Sequence, residues 1–184
     1  MRMFASLLLL SLTAVPLFAQ NPTTDAVRQM VQGRAKNMTA AADLMPADKY
    51  SFKPTPAQET FAHMQFHIVQ ANNTLCSAIG GTASAEDKDL KDTDPKDKIV
   101  AAMRRSFDVC TKALADLKDS NLGEEATVFG KKSSKGAALL TMSGGWGDHY
   151  ASQAMYLRLN GILPPTAQKA ANAKDDKKKG EYKD

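Results

Sequence analysis

Apolar residues recur along this chain at intervals of three and four positions, the repeat expected when one face of an α-helix is buried. The first stripe predicts a helix from about Thr24 to Leu44. Met45–Pro46 ends it, because the residue before a proline disfavours the helical conformation. The apolar positions of this stripe are Val27, Met30, Val31, Met38, Ala42 and Met45.

A second helix is predicted to start at Thr55–Pro56. Threonine can cap a helix, proline suits the first helical position, and Gln58 stands where the partner of a capping box belongs. The helix runs to about Ala78, and Gly80–Gly81 stops it. Its buried stripe consists of Phe61, Met64, Ile68, Ala71 and Leu75.

Two polar connectors separate the remaining helices. Residues 82–94 predict a long surface crossover, and Asp94–Pro95 opens a third helix by the same combination of cap and proline. Residues 119–135 precede a fourth helix from about Ala137 to Asn160, and Pro164–Pro165 is expected to prevent its resumption. No alternating pattern predicts a strand, so the chain is predicted to be an all-α four-helix bundle.

The two ends of the chain fall outside this pattern. Arg2, the apolar run of residues 4–18 and the small Ala19 are typical of a secretory signal peptide spanning 1–19. An uncleaved anchor is the rival interpretation, but the run is shorter than the roughly 20 residues that span a bilayer. We therefore expect a secreted or periplasmic protein with no membrane span after cleavage. Residues 20–166 form the predicted domain, and the Lys-rich residues 167–184 are predicted to be disordered.

Charge and cysteine content narrow the function classes. The formal net charge is only +4, and no basic face with interleaved aromatics indicates a nucleic-acid partner. No phosphate loop, dinucleotide fingerprint or Ser-His-Asp order is present. The two cysteines, Cys76 and Cys110, are a disulfide candidate in an oxidising compartment. The alternative is two small buried hydrophobic residues.

The three histidines of the chain all fall inside predicted helices. His63 and His67 are four residues apart and share one face of helix two, while His149 lies on the inward stripe of helix four. Three imidazoles converging in a bundle would suit Zn²⁺ or another borderline divalent ion. The alternative is that His67 and His149 are hydrogen-bonded residues at the edge of the core, and that His63 is a surface residue.

Three stretches, taken in order, resemble motifs of DinB/YfiT-like proteins: MPADKYSFKPTP at 45–56, FAHMQFHIVQAN at 61–72, and DHY at 148–150 with YLRLNGILPP at 156–165. The resemblance covers about residues 24–166. It implies a four-helix bundle in an up-down-down-up arrangement with a long crossover between helices two and three. Members often form homodimers. Many bind a divalent metal through three histidines, one on helix two and an H-x-x-x-H pair on helix four.

Carried over by position, the resemblance implies that His67 and His149 are metal ligands. The first position of the helix-four pair falls on Gly145, which cannot bind a metal. His63 could replace the missing ligand, or the metal could be lost. Asp148 is a poorer substitute, because adjacent helical residues point about 100° apart. Trp146 and Tyr150 lie next to the site and could line a ligand pocket, although the favoured interpretation of Trp146 is an ordinary core residue.

The resemblance also bears on the cysteines. If helices two and three run parallel, Cys76 and Cys110 lie at nearly equal heights above the helix starts, which permits a disulfide. The alternative is two packed thiols in separate layers.

Two functions remain open. One is a protein that binds a divalent metal (zinc, nickel or manganese) at a degenerate three-histidine site and has an unknown small-molecule partner. The other is a metal-dependent hydrolase or thiol transferase that uses His67, His149 and a replacement ligand such as His63.

Overall fold

A computed structural model describes residues 21–170, and four long helices account for most of that range. The predicted signal peptide 1–19 lies outside the described residues, as does most of the predicted tail 167–184. The all-α four-helix bundle is confirmed. The helices are α1 Pro22–Leu44, α2 Phe61–Ala78, α3 Lys96–Asp116 and α4 Lys135–Leu159.

Side-chain pairs between the helices establish their directions. The Cys76–Cys110 disulfide and the Asn72–Ser106 hydrogen bond both join residues 34 positions apart, so α2 and α3 run in the same direction. Gln65 and Gln153 are 88 positions apart, whereas Asn72 and Trp146 are 74 apart, so α4 runs opposite to α2. Near its start α1 contacts the end of α3, and near its end α1 contacts the start of α3. The predicted up-down-down-up order is therefore correct.

The start of α2 differs from its prediction. The helix begins at Phe61, and the hydroxyl of Thr60 accepts a hydrogen bond from the amide of His63. Thr55 instead closes a tight turn, in which its carbonyl accepts from the amide of Gln58. The amide of Phe61 donates to the carbonyl of Phe52, so the connector itself satisfies a donor at the helix start. Two cap-like threonines lie five residues apart, and this backbone contact selects the second.

A short hairpin precedes α4, where the sequence predicted only a polar connector. Strands β1 Glu125–Val128 and β2 Lys131–Ser134 pair antiparallel. Phe129 and Gly130 form the turn, with φ of 49° and 75°. Positive φ at both central positions is the geometry of a tight hairpin turn, which usually carries Asn-Gly. Because Phe129 occupies the first of these positions, the sequence lacks the Asn-Gly pair that usually predicts such a hairpin.

The chain beyond α4 also differs from its prediction. Residues 165–170 are helical, so Pro164–Pro165 does not prevent a new helix, because proline suits the first helical position. The first four residues of the predicted disordered tail, 167–170, belong to this segment. The Tyr150 hydroxyl donates to Oγ1 of Thr166 and accepts from the Thr166 amide. This pair of hydrogen bonds ties the segment to α4.

The first turn of α1 is capped from a distant part of the chain. The carboxylate of Asp119 accepts hydrogen bonds from the amides of Thr23 and Thr24 at 2.9 and 2.8 Å. In return, the amide of Asp119 donates to the side chain of Asn21. Burial raises the pKa of Asp119, but the hydrogen bonds outweigh it and hold the pKa below its ordinary value. The α3–β1 connector is thus fixed to the start of the bundle.

The core is stapled between α2 and α3. Cys76 and Cys110 are fully buried and form a disulfide, with their Cα atoms 5.0 Å apart. The predicted pairing is therefore confirmed. One turn away, Asn72 donates to Ser106 and accepts a hydrogen bond from the indole of Trp146. Within residues 21–170, no helix is long and apolar enough to span a membrane.

Candidate histidine groove

A groove of about 350 Å³ opens between the first half of α2 and the second half of α4. It brings together the histidines that sequence analysis selected, and we refer to it as the histidine groove. Residues from both helices and from the turn before α2 form its walls. They are Gln58, Glu59, His63, Met64, His67, His149, Ser152, Met155 and Tyr156.

His67 and His149 face each other across the groove. Their ring centroids are 5.0 Å apart and the ring planes are nearly perpendicular, at 81°. Two imidazoles bound to one tetrahedral ion, with metal–nitrogen distances of about 2 Å, have centroids about 5 Å apart. An edge-to-face contact between two rings has a similar spacing. The distance is therefore compatible with shared coordination as well as with simple packing.

The electrostatic surroundings favour a neutral imidazole at His149. Burial lowers the pKa of His149, the neighbouring His67 lowers it further, and Asp148 raises it only in part. A neutral imidazole keeps one nitrogen lone pair available to accept a hydrogen bond or a metal ion. His149 can therefore offer this lone pair to a hydrogen-bond donor or to a metal ion.

Gly145 lies on the same side of α4 as this pair. A Cβ built on Gly145 would lie 3.9 Å from Cδ2 and Nε2 of His149, and it would meet no other atom within 4 Å. A side chain at this position would therefore begin beside the imidazole of His149. The position is well placed for a ligand, but glycine supplies none.

His63 lines the groove, and one of its ring nitrogens contacts the α2–α3 crossover. Its Nδ1 is 2.9 Å from a carboxylate oxygen of Asp92 in the α2–α3 crossover, and Nε2 is 3.9 Å from Glu59. Its side chain is 38% exposed. Asp148 does not line the groove. In the described part of the chain, no group of three or more His, Cys, Asp or Glu side chains is arranged to hold a metal ion.

The two aromatic residues predicted to flank the site do not line the groove. Trp146 is a core residue, 2% exposed, and its indole donates to Asn72. Tyr150 is buried and bonded to Thr166. Met64 and Met155 also line the groove, although the sequence did not indicate them as site residues. The three-residue spacing of Met64 and His67 was a usable signal, because such residues share a helix face.

A second cleft, of about 490 Å³, lies at the far end of α2. It is larger than the histidine groove, but it contains no histidine. Lys135, one of its two lysines, is paired with Glu124 at 2.6 Å. We therefore place the candidate site in the histidine groove, where groups with available lone pairs converge.

A complete three-histidine metal site does not fit this arrangement. Two imidazoles have a suitable separation, but the third position is Gly145, and within the described residues no third His, Cys, Asp or Glu side chain joins them in a metal-binding arrangement. The groove can thus offer an ion two nitrogen ligands from its walls. Any further ligand has to come from another side chain or from solvent.

Comparison with known proteins gives a consistent result for the fold. A sequence model described as DinB superfamily matches residues 28–151. A DinB-like protein from Bacillus cereus is similar to this chain with a TM-score of 0.63 and 18% identity, over 77% of this chain and 95% of that one. A DinB-like protein from Bacillus subtilis gives a TM-score of 0.60 and 20% identity, over 76% and 95% of the two chains. No curated protein matches significantly.

Proposed function

This chain belongs to the DinB superfamily, and from that premise we propose that it is an exported metal-binding bundle with a two-histidine site. The observation that carries the proposal is the His67–His149 pair, whose centroid separation of 5.0 Å is compatible with one shared ion. The groove is open, so an ion can reach both rings from solvent. With two protein imidazoles instead of three, binding of zinc, nickel or manganese is weaker than at a complete site.

The alternative is a metal-dependent hydrolase or thiol transferase in which His63 supplies the third ligand. The observation in its favour is that His63 lines the same groove. A catalytic metal usually has three protein ligands and one open position. The 2.9 Å contact with Asp92 engages only Nδ1 of His63, so Nε2 remains the nitrogen that could bind an ion, and a ligating histidine commonly donates its other ring N–H to a carboxylate. The binding protein is favoured because no three His, Cys, Asp or Glu side chains of the described residues are arranged to hold an ion.

One titration series separates the two functions. Zinc, nickel and manganese are titrated into the purified protein and into His67→Ala, His149→Ala and His63→Ala variants, with affinity measured against a competing chelator. The proposal predicts that the first two variants lose binding and that His63→Ala retains it. Loss of binding in His63→Ala would favour the enzyme. Failure of all three ions to bind would overturn the proposal for these divalent ions.

Export is supported by the disulfide, because stable disulfides are typical of oxidising compartments. The apolar run before residue 20 supports it as well. Cell fractionation and the mass of the mature protein test this part of the proposal, with Gln20 expected as the first residue.

A homodimer remains a prediction. Leu140 and Leu159, 68% and 56% exposed on α4, are apolar side chains that such a contact would cover.

A further inference from the structure

Two methionines share the groove with the histidine pair, and neither belongs to the three-histidine pattern. Met64 precedes His67 by three residues on α2, so the two side chains lie on one face of the helix. It is 8% exposed. Met155 lies on α4 at the opposite wall and is 49% exposed. The walls therefore offer thioether sulfurs as well as imidazole nitrogens.

We propose that the groove is a Cu(I) site, in which the imidazoles of His67 and His149 and a thioether from Met64, Met155 or both bind the ion. This inference rests on the proposed metal-binding function and specifies its metal. Thioethers are soft ligands that select Cu(I), whereas imidazole suits copper and the borderline divalent ions alike. Cu(I) also accepts two or three ligands, so the absence of an imidazole at position 145 costs it less than it costs zinc.

The remaining groups near the groove do not favour another metal. Mg²⁺ and Ca²⁺ require several oxygen ligands, but Glu59 is the one carboxylate among the groove residues, and its side chain is 72% exposed. No thiol competes in the described structure, because Cys76 and Cys110 are joined to each other. Two imidazole and two thioether side chains thus line the open groove and form the proposed ligand set.

The test is competition for Cu(I) with bicinchoninate under anaerobic conditions. Ascorbate keeps copper reduced without reducing the disulfide, so Cys76 and Cys110 stay out of the reaction. The variants are Met64→Leu, Met155→Leu and their combination, because leucine preserves volume and apolar character while removing sulfur. Met30→Leu is the matched control, since Met30 lies on α1 outside the groove.

We expect the wild-type protein and Met30→Leu to bind one Cu(I) with equal affinity. The combined variant should bind at least tenfold more weakly, with unchanged zinc affinity, and His149→Ala should abolish Cu(I) binding. X-ray absorption of the Cu(I) protein should contain copper–sulfur scattering that the combined variant lacks. Circular dichroism and thermal unfolding confirm that each variant is folded.

Other outcomes distinguish this inference from the proposed two-histidine metal binding on which it rests. Cu(I) binding that is equal in the wild-type protein and the combined variant overturns the thioether ligands and with them the inference. Zinc binding that depends on His67 and His149, without Cu(I) binding, also overturns the inference but leaves the two-histidine function standing. Absence of both metals from the wild-type protein overturns both proposals.

Discussion

Reduction of the disulfide between α2 and α3 tests whether this bond stabilises the fold chiefly by closing a loop. Cys76 and Cys110 are separated by 34 positions. For a loop of that length, the chain-entropy relation gives about 3.8 kcal/mol of stabilisation at 25 °C. Reduction removes no side-chain atom and leaves two thiols in a fully buried position. The loss should therefore come mostly from the greater freedom of the unfolded chain.

The assay is urea unfolding of the oxidised and the reduced protein, followed by circular dichroism. With an m-value of about 2 kcal/mol/M, a loss of about 3.8 kcal/mol lowers the midpoint by roughly 2 M. A Cys76→Ala, Cys110→Ala double variant is the control. It should not respond to reductant, although buried cavities lower its own stability.

A midpoint shift below about 0.5 M on reduction would refute the loop-closure argument. It would mean that the crossover between α2 and α3 remains restricted in the unfolded chain without the disulfide. A response of the double variant to reductant would show that the shift has another origin.

Three further predictions concern the site, a helix cap and the core. Gly145→His should raise zinc affinity at least tenfold in a chelator competition, because the new side chain starts 3.9 Å from His149; Gly144→His, whose Cβ meets nothing within 4 Å, is the control that should leave affinity unchanged. Asp119→Ala should lower the melting temperature at pH 7, because the cap of α1 is lost. The pKa of Asp119 is lowered in the folded protein, so its stabilisation is present above the unfolded pKa and is lost as the pH falls through the folded one. The difference between the wild-type protein and the variant should thus shrink in acid, and a constant difference from pH 7 to pH 2 would contradict the assignment. Trp146→Phe should cost about 1–3 kcal/mol in urea unfolding, because it leaves the buried Asn72 oxygen without its donor, whereas a cost near zero would mean that the indole hydrogen bond is unimportant.

The four helices could be predicted because long amphipathic stripes depend on local spacing alone. Their ends were harder. At the start of α2, both Thr55 and Thr60 are competent caps, and a backbone contact between Phe61 and Phe52 decides between them. The hairpin could not be predicted for a different reason. Phe129 adopts a positive φ, a conformation that glycine or asparagine normally adopts in such turns.

Only part of the candidate site could be predicted from the sequence. The resemblance selected His67 and His149, and the structure places their rings together. It could not indicate that a carboxylate of the crossover, Asp92, holds His63. For Trp146 the sequence left a pocket residue and a core residue as alternatives, because helical spacing gives the direction of a side chain but not the partner it meets, here the amide of Asn72.

The disulfide has a topological consequence for how the protein responds to proteolysis. The chain from Cys76 to Cys110 is a closed covalent ring that contains the whole α2–α3 crossover. A protease that cuts once within residues 82–94 opens the ring without dividing the molecule, since the two pieces remain linked through sulfur. A nicked molecule would keep its mass apart from one added water, as well as its bundle, and would separate into fragments only when reductant is present.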